Sequence, residues 1–365
     1  MGRLRARRFR CPHRRWLASA AGCTHASVSH PTVSVGALLG DGDAAAREAA
    51  LGDLRAALLN GGPGYFYAAD VQGVLGADYL RTIYDFSERL HTLPIAEKQP
   101  YLGTGGSATV GAVYSGEDAG VAEPAYDPAL RASVRSWDYS RPGMAYARPG
   151  TDVAPLASPN PHPSSFPTED VERTMEGLYD RQNIVGAALL EAFAEMFSLP
   201  RDTFERHFSA GDMGTIRLLR YPGDDDDAAH DSDVGIAPHT DFEVFTLMHQ
   251  NAPGLQFLPA ARGEEGADAA ALDWVDAPVV PDSFVVIIGP PARASPPWLA
   301  RGSQPVPACA GDVLERWSNG ALRATPHRVL NRGPPRKSII RFNATAPETV
   351  IEPLDAFVTP ERPRR

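Results

Sequence analysis

Cysteine is scarce. Cys11, Cys23 and Cys309 are the only three in 365 residues, too few and too far apart for a disulfide framework or a cysteine-built zinc site, and the scarcity fits a reducing compartment. Long apolar runs are missing as well. No stretch is longer than the five residues of Phe284–Ile288, whereas a helix crossing a bilayer needs about twenty; no membrane span is expected. Acidic residues are absent from residues 1–31, which carry seven arginines. Removing those seven charges from the formal total of −10 leaves −17 on the rest of the chain. A body so acidic lacks the basic stripe that gives affinity for nucleic acid, and a small molecule is the expected partner. Composition leaves the oligomeric state open.

What is present suits a globular protein. Apolar residues make up 43% and charged residues 22%, enough to bury a sizeable core. The Arg-rich, acid-free leader, 1–31, reads as a transit-like or disordered segment on a protein otherwise expected in the cytoplasm. Region 32–200 reads as helical and loop-rich. Thr32–Val35 alternates like a strand, and Ala44–Leu59 places Leu51, Leu54 and Leu58 at helical spacing. Tyr65–Tyr67 reads as a buried strand and Asp78–Leu90 as a second helix. From Tyr101 to Pro167, Gly, Pro and Ser dominate without a sustained period, which predicts long loops. Thr168 is expected to cap a long bracing helix with Val171, Met175, Leu178, Val185, Leu189, Phe193 and Met196 inward, ending near Pro200.

Region 201–357 changes period. Thr215–Tyr221, Val244–His249, Leu255–Leu258, Phe284–Ile288 and Ser338–Phe342 are short apolar runs separated by turns, the pattern of a sandwich or barrel. Residues 358–365 form a tail. The carboxylate run Asp224–Asp227 lacks EF-hand spacing and reads as a solvated loop. Pro290–Ala310 carries six Pro and no helix or strand period; it reads as an inserted loop, either a lineage-specific insertion or a retained intron.

His239-Thr240-Asp241 places an imidazole and a carboxylate on one side of an extended segment. With ten His and 45 acids, about one such pair arises by chance, so context decides. That context is His327, in Ala324-Thr325-Pro326-His327-Arg328-Val329. Two imidazoles and one carboxylate leave a metal with open positions, which suits Fe(II) and O2 rather than a closed zinc site. Arg336 and Ser338 then share a strand face, a guanidinium fork beside a hydroxyl that suits a carboxylate, as in a keto acid.

Together these motifs resemble the iron and 2-oxoglutarate-dependent dioxygenases, in the branch similar to isopenicillin N synthase. Gly64-Tyr65-Phe66, Arg220-Tyr221-Pro222, Pro238-His239-Thr240-Asp241, Phe245-Thr246-Leu247-Met248, Pro253-Gly254-Leu255-Gln256, Trp274-Val275, Asn319-Gly320, His327-Arg328-Val329 and Arg336-x-Ser338 follow in the family's order. The resemblance implies a mainly β fold with flanking helices, a distorted double-stranded β-helix or jelly roll. It implies His239, Asp241 and His327 as the catalytic iron ligands. It implies Arg336 and Ser338, with Tyr221 as a further hydroxyl donor, around 2-oxoglutarate. The implied reaction is hydroxylation or desaturation of a small organic substrate with release of succinate and CO2. Two alternatives stay open: an iron oxidase that uses no 2-oxoglutarate, and a non-catalytic descendant blocked by the inserted segment.

Other conspicuous residues have plainer readings. His249 reads as a packing or hydrogen-bonded histidine, His207 and His230 as surface residues, and Phe245 and Phe342 as core. Trp137-Asp138-Tyr139 is divided between the substrate mouth and a surface turn.

Overall fold

The computed structural model describes residues 30–40, 43–59, 61–101, 114–116, 134–140, 162–208, 212, 214–223, 234–241, 243–258, 273–288, 313–323, 325–331, 333–346 and 348–364. The readings made for leader residues 1–29, for Asp224–Asp227, for His230 and for the insertion at 290–310 lie outside them.

In chain order the elements are β1 (Thr32–Ser34), α1 (Ala44–Leu58), β2 (Tyr65–Ala69), α2 (Ala77–His91), α3 (Ile95–Lys98), β3 (Tyr114–Gly116), β4 (Arg135–Ser140), α4 (Thr168–Glu195), α5 (Asp202–Glu205) and β5 (Thr215–Tyr221). They continue with β6 (Val234–His239), β7 (Phe245–Gln250), β8 (Leu255–Phe257), β9 (Val275–Asp276), β10 (Phe284–Ile288), α6 (Val313–Trp317), β11 (His327–Leu330) and β12 (Arg336–Asn343). Among the described residues no helix is long and apolar enough to cross a membrane.

Local chemistry accounts for the helices. Asp43 caps α1 by accepting a hydrogen bond from the Ala45 amide at 2.9 Å, and the Ala-rich sequence behind it has high helix propensity. Leu51, Leu54 and Leu58 are all buried, as their spacing predicts. Helix α4 buries the anticipated Val171, Met175, Leu178, Val185, Leu189 and Phe193, with Met196 following as its C-cap. Its start differs from expectation. Pro167 occupies the N-cap position without a side-chain cap bond, and Thr168 is the first helical residue; Glu169 and Asp170 supply the favourable first-turn negative charge instead.

Eight strands form the larger sheet, in the order β1-β2-β10-β7-β12-β5-β4-β3, and β6-β11-β8-β9 form the smaller one. Strand alternation gives the large sheet two different faces. Phe66, Ala68, Ile216, Leu218, Phe245, Leu247, Phe284, Val286, Ile288 and Ile339 join the core built with α1, α2 and α4. Their neighbours Tyr65, Tyr67, Leu219, Tyr221, Met248, Val285, Ile287 and Ile340 turn the other way and meet Leu255, Phe257 and Val329 of the small sheet. Strand β10 is buried on both faces, which explains its unbroken apolar run. The layer between the sheets is where the chemistry-bearing residues gather.

The largest departure from expectation lies between residues 101 and 167. Loops are expected there, yet β4 is an interior strand paired on one side with β3 and on the other with β5, Trp137 opposite Leu218. Trp137 and Tyr139 are buried in the helix-side core, Trp137 edge-on to Phe86 at 6.0 Å, and Asp138 takes a two-pronged bond from Arg217, 2.7 Å on each prong. These three residues therefore form part of a sheet strand and not a surface turn, with Trp137 and Tyr139 turned away from the layer between the sheets. The pairing partner that makes Arg135–Ser140 a strand is far away in sequence, so local composition carries no trace of it.

Candidate functional site

Three side chains converge at one end of the small sheet. His239 closes β6 and His327 opens β11, and the two are directly opposite in the antiparallel ladder; on its other side His327 pairs with Phe257 of β8. Asp241 follows β6 by two residues and turns its carboxylate to the same side. Asp241 Oδ1 lies 3.7 Å from His239 Nε2 and 3.6 Å from His327 Nε2, and one ligand atom from each residue falls within 4.8 Å of the others. The imidazole centroids are 4.2 Å apart. Asp241 and His327 are buried while His239 is partly open, so the cluster is reached from one side. A donor set of two imidazoles and one carboxylate can hold one divalent cation and leave part of its coordination sphere unfilled.

The surroundings orient these groups. His327 Nδ1 is 3.2 Å from the Thr325 carbonyl, which accepts a hydrogen from Nδ1 and so leaves the Nε2 lone pair toward the cluster. Thr246 Oγ1 donates to Asp241 Oδ2 at 2.5 Å, and Oδ1 remains for the cluster. Thr325 is itself held against the chain entering β2: its hydroxyl donates to the Pro63 carbonyl at 3.3 Å. Gly64, at φ +85°, passes so close that a Cβ there would sit 2.2 Å from Thr325 Oγ1. Only glycine combines that φ with that approach.

Arg336 and Ser338 lie on the inner face of β12, with Arg336 opposite Tyr221 of β5 and Ser338 opposite Gln250 of β7. Arg336 is 2% exposed. Its Nη1 donates to Ser338 Oγ at 3.4 Å and its Nη2 to Gln250 Oε1 at 3.0 Å, and its guanidinium carbon sits 4.7 Å from the centre of the Tyr221 ring. Among the described residues its Nε has no hydrogen-bond partner. Among the described residues no carboxylate pairs with it, an unusual state for a buried cation. An incoming carboxylate would complete it.

The remaining histidines behave differently from one another. His249 points to the helix side, where its Nδ1 shares a 2.6 Å hydrogen bond with the Tyr84 hydroxyl; burial lowers its pKa to about 4, against a smaller opposing pull from Asp282. It is the hydrogen-bonded core histidine its position suggested. His207 is not the surface residue expected: it is half-buried with its ring 4.7 Å from that of Trp317. Phe245 is core, and Phe342 is only partly buried beneath Arg217.

Sequence reasoning gives no individual role to Thr246, Met248 or Gln250, although the first two fall within the Phe245-Thr246-Leu247-Met248 motif. All three are buried and, two apart along β7, they share the face that looks at the site. The period-two alternation is legible in Phe245–Gln250, but reading the run for its apolar residues alone leaves the polar ones without a role.

The 2OG-Fe(II) oxygenase superfamily profile matches residues 214–345, from the edge of β5 to just past β12. Homoarginine-6-hydroxylase 2-ODD-C23 of Glycine max is 30% identical over 162 residues, 43% of this chain and 39% of that protein. Homoarginine-6-hydroxylase 2-ODD-233 of Oryza sativa subsp. japonica is 25% identical over 295 residues, 80% of this chain and 77% of that one. The chain thus spans about two fifths of the Glycine max relative. Among solved structures, a full-length Neurospora crassa protein in complex with alpha-KG and thymine superposes with a TM-score of 0.66 at 22% identity, over 92% of each chain, a likeness of fold.

Proposed function

We propose that this chain, whose residues 214–345 match the 2OG-Fe(II) oxygenase superfamily profile, is an Fe(II)- and 2-oxoglutarate-dependent dioxygenase of the isopenicillin N synthase-like branch, oxidising a small organic molecule by hydroxylation or desaturation. The observation that carries this reading is the pairing of an open His-Asp-His cluster with a buried guanidinium that lacks a carboxylate among the described residues. The two-sheet stack around them is read as the distorted double-stranded β-helix.

The donor set fits Fe(II). His239, Asp241 and His327 would hold the ion, and Arg336, Ser338 and Tyr221 would hold the distal carboxylate of 2-oxoglutarate. When bound, the iron would supply O2 activation coupled to conversion of 2-oxoglutarate into succinate and CO2. The chain's own residues bind and orient. Thr325 keeps His327 in the tautomer with Nε2 free, Thr246 turns one Asp241 oxygen away from the metal side, and the Tyr221 ring supports the guanidinium from below. Burial between two sheets excludes water from the pairing of guanidinium and carboxylate, strengthening it relative to an exposed one.

The test is anaerobic addition of Fe(II) and then 2-oxoglutarate to the purified protein, followed by optical spectroscopy. A visible charge-transfer band that appears only with both ligands supports the reading. Oxygen consumption that is equally fast without 2-oxoglutarate would instead favour an oxidase in which Arg336 and Ser338 hold the substrate's own carboxylate.

A further inference from the structure

We propose that β7 is the positioning strand of the site: Thr246 sets the metal-side carboxylate, Gln250 sets the co-substrate guanidinium, and Met248 between them forms the floor against which the keto acid's carbon chain lies. The inference rests on the co-substrate reading above. Thr246 acts through Asp241 and Gln250 through Arg336, while Met248 lines the space between.

The two ends of the strand are anchored independently. At one end the Thr246 hydroxyl donates to Asp241 Oδ2 at 2.5 Å. At the other, the Gln250 amide cannot turn over, because its Nε2 already donates to the carbonyls of Ala277 and Pro278, each at 3.2 Å; Oε1 is thereby aimed at Arg336 Nη2, 3.0 Å away. That bond occupies one side of the fork and fixes the rotamer that presents the rest. Met248 Sδ lies 3.9 Å from the same Nη2, and all three residues are at most 4% exposed.

The strand itself has little freedom to shift. It is paired on both edges, Met248 opposite Val285 of β10 on one side and Ile340 of β12 on the other, and slipping by one residue would turn its inner face outward. The gap between metal and guanidinium is therefore gauged by one strand, roughly 13 Å of backbone rise from Thr246 to Gln250. A gauge of fixed length selects one keto-diacid length.

The experiment uses the full chain with Mn(II) as a redox-silent metal and reads two affinities by calorimetry: Mn(II) alone, and then keto acids of four, five and six carbons (oxaloacetate, 2-oxoglutarate and 2-oxoadipate) at saturating Mn(II). Gln250→Leu is expected to weaken 2-oxoglutarate about tenfold or more while leaving Mn(II) affinity within about twofold. Thr246→Val is expected to weaken Mn(II) about tenfold or more, with Thr246→Ser restoring most of it because the hydroxyl returns. Met248→Ala is expected to shift preference toward the six-carbon acid by about tenfold, the scale of one methylene in a fitted pocket. Gln250→Leu binding 2-oxoglutarate like the wild type, or both end variants weakening both ligands equally, overturns the proposal. A wild-type protein that binds Mn(II) but no keto acid overturns the co-substrate reading, and the Gln250 and Met248 roles with it.

Discussion

His239 and His327 face each other as a registered pair across the β6–β11 ladder, with Asp241 Oδ1 within 3.7 Å of both Nε2 atoms. Two imidazoles and a carboxylate held this close are best satisfied by a cation between them. Adding Mn(II) should therefore raise the melting temperature, since a ligand at a hundred times its dissociation constant adds about 2.7 kcal/mol. Asp241→Ala should abolish that metal-dependent rise while the metal-free protein still melts cooperatively. Thermal denaturation with and without metal checks both; an undiminished metal shift in the variant would remove Asp241 from the ligand set.

Stability should fall on mild acidification, with His249 as one identifiable cause. Burial holds its pKa at about 4, below the 6.5 of an unfolded chain. Above about pH 6.5 the ring is neutral in both states and adds no pH dependence. Between 6.5 and 4 the unfolded chain takes up a proton that the folded protein refuses, so stability drops as pH falls through that window, by roughly 3 kcal/mol, and levels off below it. Urea denaturation at pH 7 and pH 4.5 should show a smaller loss for His249→Gln than for the wild type.

Trp137→Ala should cost roughly 3–5 kcal/mol, because it empties a fully buried site between the sheet and α2. A residue in a surface turn would change stability by less than about 0.5 kcal/mol. Chemical denaturation separates the two outcomes cleanly.

Gly64→Ala should damage the metal site from outside it. The new methyl would collide with Thr325 Oγ1 in a backbone conformation that alanine resists, at a cost of order 1–3 kcal/mol, and Thr325 carries the carbonyl that orients His327. Mn(II) titration of the folded variant should show weakened binding even though no ligand has changed.

The parts of the molecule legible in the sequence are those whose determinants are local. The inward residues of α4 follow from helical spacing, the continuous run of β10 from burial on both faces, and the triad from ordered motifs around His239, Asp241 and His327. Strand β4 is hidden because Trp137 and Tyr139 become core only through pairing with β5, a strand remote in sequence. His207 escapes for a similar reason: its neighbour Trp317 is also remote along the chain. Thr246 and Gln250 are easily overlooked although their alternation is visible, since a polar residue inside an apolar strand announces a partner without naming it.

The large sheet has a lasting implication in its two unlike faces. Every second residue of β2, β5, β7, β10 and β12 grips the helices, and the ones between look into the chamber with the triad and Arg336. Inheritance can thus revise the chamber one position in two while the grip on the helices is left alone. A lineage built this way can change what its chamber admits without learning to fold again.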